Sequence, residues 1–235
     1  DLLGCRAAFV EPPLSSDKIP SVRIALLDGT SVTSDFSDVD RVLSAYFRRD
    51  VTLARAAPED FTIDQYHPDV EDIDAVGCRN TVVEQKLGSA FFAQAGLASP
   101  VPVGSFFDLF PLSVLTTSTL DQLNELRPQS RFDQRRFRMN VIVGTKEAGF
   151  LENDWVGRDL AIGDAVRISI AQPDLRCVMT TLAQDDLPRD NDILRALIQH
   201  NRVQVGAASQ FPCAGVYAVV KAPGAIRIGD RVALT

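Results

Sequence analysis

The sequence predicts an α+β fold with a barrel-like β core, a few peripheral helices and a β-rich N-terminal part. Three observations carry that prediction. First, DLAIGDAVRISIA (159–171) and AIRIGDRVAL (225–234) share Ile-Gly-Asp-x-Val, and each reads as a strand, a tight turn and a second strand. Such corners let an antiparallel sheet curl on itself. Second, the helical segments are few and do not alternate one-for-one with strands, so no βαβ series is expected. Third, no GxGxxG opens a helix and no GxxxxGK[ST] occurs, which argues against dinucleotide-binding and P-loop folds.

Taken in order, SVRIALLDGTSVTSDF (21–36) holds two β-prone runs around Asp28-Gly29, a hairpin signal. SDVDRVLSAYFRR (37–49) places Val39, Val42, Leu43, Tyr46 and Phe47 on one helical face, with Ser37 as the expected cap. VTLARA (51–56) alternates as a strand would. Residues 57–80 are acidic, contain prolines and show no period; they read as a solvated loop, or as a lid if ordered. NTVVEQKLGSAFFAQAGL (80–97) is mixed extended and helical. Prolines at 100 and 102 then mark the main boundary, between an N-terminal part, 1–102, and a second domain, 103–235. In the latter, FFDLFPLSVLTTSTLDQLNEL (106–126) predicts a strand ending at Thr116-Thr117 and a helix capped by Ser118, with Asp121 near its positive end. MNVIVG (139–144) and GVYAVV (215–220) are strands, and DNDILRALIQHNRV (190–203) is a helix started by Asp190 or Asn191, with Ile193, Leu194, Leu197 and Ile198 as its apolar face.

At 235 residues the chain has ample length for a core, and 46% hydrophobic with 23% charged residues is ordinary for a globular protein. A net charge of −7 argues against a general nucleic-acid partner. Apolar runs fall short of a bilayer span, so no membrane partner is expected, and Asp1-Leu2-Leu3-Gly4 does not read as a secretory signal. Four scattered cysteines, Cys5, Cys78, Cys177 and Cys213, form no CxxC pair; the expectation is a cytoplasmic chain with reduced thiols and no structural zinc. Two histidines, His67 and His200, are too few for a histidine metal site and remove the usual partner for serine or cysteine hydrolase chemistry.

Two places carry candidate chemistry. RFDQRRFRMN (131–140) gathers Arg131, Arg135, Arg136 and Arg138 against one Asp133, just before a strand. A forked guanidinium suits phosphate or carboxylate, so this island reads as an anion seat, or as a solvated cluster paired with nearby carboxylates. PDLRCVMTT (173–181) sets Arg176 beside Cys177. Positive charge favours the thiolate that binds a soft metal, whereas a buried inert thiol is the alternative. Trp155 reads as packing under the Ile162-Gly163-Asp164 corner, and Asp108 as a turn or capping residue.

The segments FPLSVLTTSTLDQL, RRFRMNVIV, WVGRDLAIGD, PDLRCVMTT and GVYAVVKAPGAIRIGDRV occur in an order that resembles the MOSC domain, named for the C-terminal domain of molybdenum-cofactor sulfurase. The family also includes the mitochondrial amidoxime-reducing component and its bacterial relatives. The resemblance covers about residues 103–235 and implies a barrel-like MOSC core that binds the molybdenum cofactor, a molybdopterin. Residues 1–102 resemble a diverged N-terminal part of such proteins. The family's Arg-Cys motif falls on Arg176-Cys177, which implies that Cys177 is the protein ligand to molybdenum. Its Phe-Arg-Pro-Asn segment falls on Phe137-Arg138-Met139-Asn140, which implies that Arg138 and Asn140 hold the pterin and phosphate, with Arg136, Arg176, Thr116, Thr117 and Tyr217 as neighbours in cofactor binding. Met139 departs from the family's proline. A lysine and an arginine that relatives carry near their N-terminus find no match ahead of DLLGCRAAFV.

The resemblance thus implies an oxidoreductase that reduces N-oxygenated small molecules such as hydroxylamines or amidoximes, with Cys177 at the metal. An external iron–sulfur or flavin protein would supply electrons, since no ferredoxin-like cysteine series is present. The alternatives are a non-catalytic carrier of the cofactor, a sulfur carrier using Cys177 as a persulfide, and a domain that has lost the cofactor and serves only in contacts.

Overall fold

The computed structural model describes residues 2–13, 19–58, 61–67, 81–205 and 209–235. Two compact units are present, one formed by residues up to Ala56 together with Gln184–Asp186, the other by Ala57–Ala183 and Leu187–Thr235.

In the first unit, β1 (Arg6–Phe9), β2 (Val22–Ala25) and β3 (Ser31–Thr33) form an antiparallel sheet in that order. The expected hairpin turn is there, with Gly29 at φ +86°, a value that glycine adopts without strain. Helix α1 (Val39–Phe47) buries Val39 and Leu43 against Leu26 and Val32. Asp38, not Ser37, precedes it, and it makes no side-chain cap. The strand expected at 51–56 does not form, because α1 satisfies its backbone: Val51 N donates to Ser44 Oγ at 3.0 Å and Leu53 N to Asp40 Oδ1 at 2.8 Å.

The second unit begins with a hairpin of β4 (Thr62–His67) and β5 (Thr81–Lys86), followed by α2 (Gly88–Gln94). Strand β4 corrects the loop expected across 57–80; its first two residues, Thr62 and Ile63, pair with Lys86 and Gln85 of β5. Residues 68–80, including Cys78, lie outside the described residues. The core is a seven-stranded mixed, barrel-like sheet, with β12 (Val232–Leu234), β8 (Asp159–Ile162), β9 (Val166–Leu175), β11 (Ser209–Ala222), β6 (Leu112–Thr116) and β7 (Val141–Val143) side by side and β10 (Arg202–Val205) also on β11. Only β6 and β7 run parallel. Long β9 and β11 pair through three register shifts, and such bulges bend and twist a sheet toward closure.

Strand alternation then builds two cores. Val166, Ile168 and Ile170 of β9 join Val114, Leu160, Ile162, Val216, Ala218 and Trp155 in one. Leu115 and Ala214 turn the other way, onto α3 (Thr117–Leu126) and α4 (Asp192–His200), with Leu123, Phe132, Phe137, Ile193 and Leu197. Residues 114 and 115 diverge by ordinary period-two geometry. Ala214 and Val216 would share a face in a regular strand; Gly215, at φ +85° within a bulge, sends them to opposite cores. A Cβ on Gly215 would collide with Met139 Cε and lie 2.6 Å from the Val114 carbonyl oxygen. Gly215→Ala is therefore expected to destabilise the unit by about 2 kcal/mol or more, read as a lowered urea midpoint at unchanged slope.

Of the expected caps, Thr116 replaces Ser118: its Oγ1 accepts from Thr119 N at 3.2 Å. Helix α4 follows Asn191, but the bond is made by Asp190, whose Oδ1 accepts from Asp192 N at 2.9 Å. The second Ile-Gly-Asp corner is half formed: Val232–Leu234 pairs with β8, whereas Ile226 and Ile228 stay exposed without a strand partner. There the Asp230 carboxylate accepts from Arg227 N at 2.8 Å, closing a turn in place of a ladder.

Candidate cofactor site

Strand β9 carries PDLRC to the sheet's end. Its ladder with β11 continues one residue past Leu175, since Arg176 N donates to Pro212 O at 2.8 Å. Extended Cys177 (φ −115°, ψ −173°) then opens a short 3₁₀ turn, Val178–Thr181. Thr180 holds its carbonyl, through Oγ1 at 3.0 Å and N at 3.3 Å. Because neighbours on an extended chain point to opposite sides, the Cys177 side chain is exposed while that of Arg176 turns inward, 13% exposed.

Inward, Arg176 is closely engaged. Its Nη1 lies 2.7 Å from Asp174 Oδ2, its Nη2 donates to Phe137 O at 2.6 Å, and its guanidinium sits 5.7 Å from the Phe137 ring centroid. Burial pushes the Asp174 carboxyl up to about 6, against the opposing pull of Arg176 and of the Tyr217 hydroxyl beside it. Tyr217 stacks on Phe110 with centroids 5.2 Å apart, and burial followed by the negative charge of Asp174 raises its hydroxyl pKa.

The Phe137 carbonyl that Arg176 grips immediately precedes Arg138, so the basic island and the cysteine strand meet here. The four arginines of that island have separate fates. Arg131 and Arg135 lie on Asp133, at 3.3 and 2.8 Å, and Arg135 holds its carboxyl down to about 2. Arg136 is 1% exposed and grips backbone: Nε donates to Arg131 O at 2.9 Å, Nη2 to Pro188 O at 2.9 Å, and Nη1 to Thr180 O and Leu182 O at 3.4 Å each. Arg138 is exposed, adopts left-handed φ 54°, and bonds to no described residue. A non-glycine residue held at positive φ is uncommon and tends to mark a site.

Asn140 fastens the approach to β7 onto β6. Its Oδ1 accepts from Ser113 N at 2.9 Å and Ser113 Oγ at 3.1 Å, and its own N donates to that Oγ at 3.3 Å. The amide nitrogen of its side chain is left with no described acceptor. Ser113 pairs with Tyr217, so Asn140, Ser113, Tyr217, Asp174, Arg176 and Phe137 form one connected neighbourhood.

Thr116 and Thr117 are placed differently. Thr116 is fully buried and donates to Glu152 Oε2 at 2.6 Å. Glu152, also fully buried, accepts from Thr119 Oγ1 at 2.7 Å and Gly215 N at 3.1 Å, and desolvation raises its pKa. Thr117 accepts from Thr145 N at 3.0 Å. Trp155 packs in the core with Leu160 and Ile162 of the first corner. Cys213 is buried, which pushes its thiol up to about 12, and Cys5 is half-buried.

Sequence reasoning passed over Asp174 and Glu152. Asp174 had a signal, since a residue two before Arg176 on a strand shares its face. Glu152 had none, because its donors come from Thr116, Thr119 and Gly215, each more than 30 positions away.

Among the described residues no helix is long and apolar enough to cross a membrane. The chain is similar to mitochondrial amidoxime-reducing component 1 of Mus musculus, 27% identical over 134 residues, 55% of this chain and 38% of that protein. It is likewise similar to mitochondrial amidoxime-reducing component 1 of Homo sapiens, 27% identical over 144 residues, 60% of this chain and 41% of that protein. The chain thus covers about two fifths of the length of the curated relatives it matches. The MOSC domain family matches residues 103–233, more than half of the chain and the whole path from β6 to the start of the last strand pair. By that match the chain belongs to the MOSC-domain family, the molybdenum-cofactor-binding family that its motif order resembles.

Proposed function

We propose that Cys177 is the protein ligand to the metal of a bound molybdenum cofactor, and that the chain serves an oxidoreductase that reduces N-oxygenated compounds. The observation that carries the reading is the exposed Cys177 thiol beside a strand end that Arg176 ties, at 2.6 Å, to the carbonyl preceding Arg138, which bonds to no described residue. A soft thiolate donor and a forked cation with no partner among the described residues are the two groups that an anionic metal–dithiolene cofactor calls for, and the residues present fit it. When bound, the cofactor supplies the redox chemistry of oxygen-atom removal.

The chain's own residues divide the work of holding it. Cys177 offers the metal ligand, Arg138 offsets the phosphate, and the side-chain amide N–H groups of Asn140, which meet no described acceptor, serve the pterin or phosphate. Tyr217 and Arg176 line the floor behind Cys177. Arg136, Thr116 and Thr117 act one layer back: Arg136 pins the loop after Cys177, and the threonines fix the start of α3. Electrons would come from a separate iron–sulfur or flavin protein. The amidoxime-reducing activity in the names of the relatives supports the choice of substrate class.

Protein purified from a host that makes the cofactor is expected to carry molybdenum by elemental analysis and pterin by fluorescence after oxidation. Absence of both would overturn the reading. The exposure of the same thiol also suits a persulfide carrier, for which sulfane sulfur on Cys177 without molybdenum would be the outcome.

A further inference from the structure

Asp174 is 1% exposed, and it shares the inner face of the strand end with Arg176. The charged and titratable groups facing it are Arg176 from its own strand, Tyr217 and Cys213 from β11, and Asp108 from the segment ahead of β6. Arg176 is therefore the only cation facing this carboxylate among the described residues. The pair is a poor device for stability. Asp174 Oδ1 and Arg176 Nε are both buried with no hydrogen-bond partner among the described residues. The carboxyl titrates near 6 in the fold against 3.8 outside it, so its contribution is fullest below 3.8 and is lost as pH rises through about 6. Ionised at neutral pH, the group costs the fold free energy. Buried pairs of this sort fix geometry more readily than they add stability.

The geometry fixed here is that of two loops. With Nη1 held at 2.7 Å by Asp174, the planar guanidinium can present Nη2 in one direction only, to the Phe137 carbonyl at 2.6 Å. Phe137 is followed by Arg138, and Arg176 by Cys177.

We infer that Asp174 is a positioning residue: by aiming Arg176 at the Phe137 carbonyl, it holds the loop bearing Arg138 and Asn140 in place against the strand end bearing Cys177. Only the consequence for cofactor retention rests on the molybdenum reading; the coupling of the two loops stands without it. Losing the carboxylate leaves a buried, unneutralised guanidinium, which then turns toward water and releases Phe137.

Hydrogen–deuterium exchange over 134–141 in the cofactor-free full chain tests the coupling, because that segment lies outside the mutated strand. Asp174→Asn, which keeps the volume, is expected to raise exchange there about tenfold, the effect of roughly 1.4 kcal/mol. Arg176→Lys, which keeps the charge but loses the fork, should do the same and serves if the first variant folds poorly. The double variant Asp174→Asn with Arg176→Met should exchange no faster than Arg176→Met alone, since one acts through the other. In the parent, exchange corrected for its intrinsic pH dependence should climb as pH falls through about 6; in Asp174→Asn that step should vanish. Unchanged exchange over 134–141 in both single variants, or additive effects in the double, would overturn the inference. Faster exchange in the variants of a parent that never loads molybdenum would uphold the coupling and count against the cofactor reading alone.

Discussion

Cys177→Ser is expected to strip molybdenum from the protein while leaving the fold as it was. Removal of an outer-sphere partner typically costs about 10- to 100-fold in metal affinity, and loss of the ligand itself should exceed that. The reason is chemical. A thiolate is soft and forms readily, whereas a serine hydroxyl is hard and stays protonated at neutral pH. The side chain is exposed and its carbonyl, not its sulfur, is what Thr180 holds. The change in stability should therefore stay within about 0.5 kcal/mol, as for surface substitutions generally. Cys5→Ser and Cys213→Ser serve as controls and should load as the parent does. Elemental analysis of all four proteins from one cofactor-making host decides it: full molybdenum in Cys177→Ser would end the ligand assignment.

Arg136→Met should do the reverse, lowering stability first. The guanidinium is buried with no carboxylate of a described residue in contact; its bonds go to the carbonyls of Arg131, Thr180, Leu182 and Pro188. Burial lowers its pKa, with Asp190 and Asp133 offsetting part of that at longer range. Methionine fills much of the volume but leaves these acceptors without a donor. Loss of charge-assisted bonds of this kind costs about 1.5–3 kcal/mol each, less where water enters, so a total near 3 kcal/mol is expected. Arg136→Lys should recover only part, because an ammonium cannot span carbonyls on both sides as a fork does. Arg138→Met provides the contrast. It is exposed and bonds to no described residue, so it should leave the urea midpoint in place and reduce cofactor retention. Equal stability of Arg136→Met and parent would show that the arginine does not carry the loop.

That contrast marks where sequence reading stops. Arg136 and Arg138 are the same residue type, two positions apart, in one basic run. What separates them is the loop at 180–188, which lies more than 40 residues downstream and folds its carbonyls over one and not the other. Thr116 shows the same limit. Its place at the end of a strand and start of a helix was legible from local pattern, but its burial under Glu152 depends on a carboxylate 36 positions away. The missing strand at 51–56 had the right alternation, but the α1 side chains of Ser44 and Asp40 take the backbone N–H groups of Val51 and Leu53.

By itself the sequence determined the strands β6 to β9 and β11, the helices α1, α3 and α4, the barrel-like class and the family, because period, turn residues and motif order follow the chain; it ran the helix expected over 190–203 too far, since α4 ends at His200 and Arg202 and Val203 belong to β10, which pairs with β11. Only the tertiary structure decided which arginine faces solvent, which grips backbone carbonyls, and that Arg176 lies between Asp174 and the Phe137 carbonyl. Those outcomes depend on which buried polar atoms must find partners once distant segments are packed together, and a linear pattern carries no record of that competition.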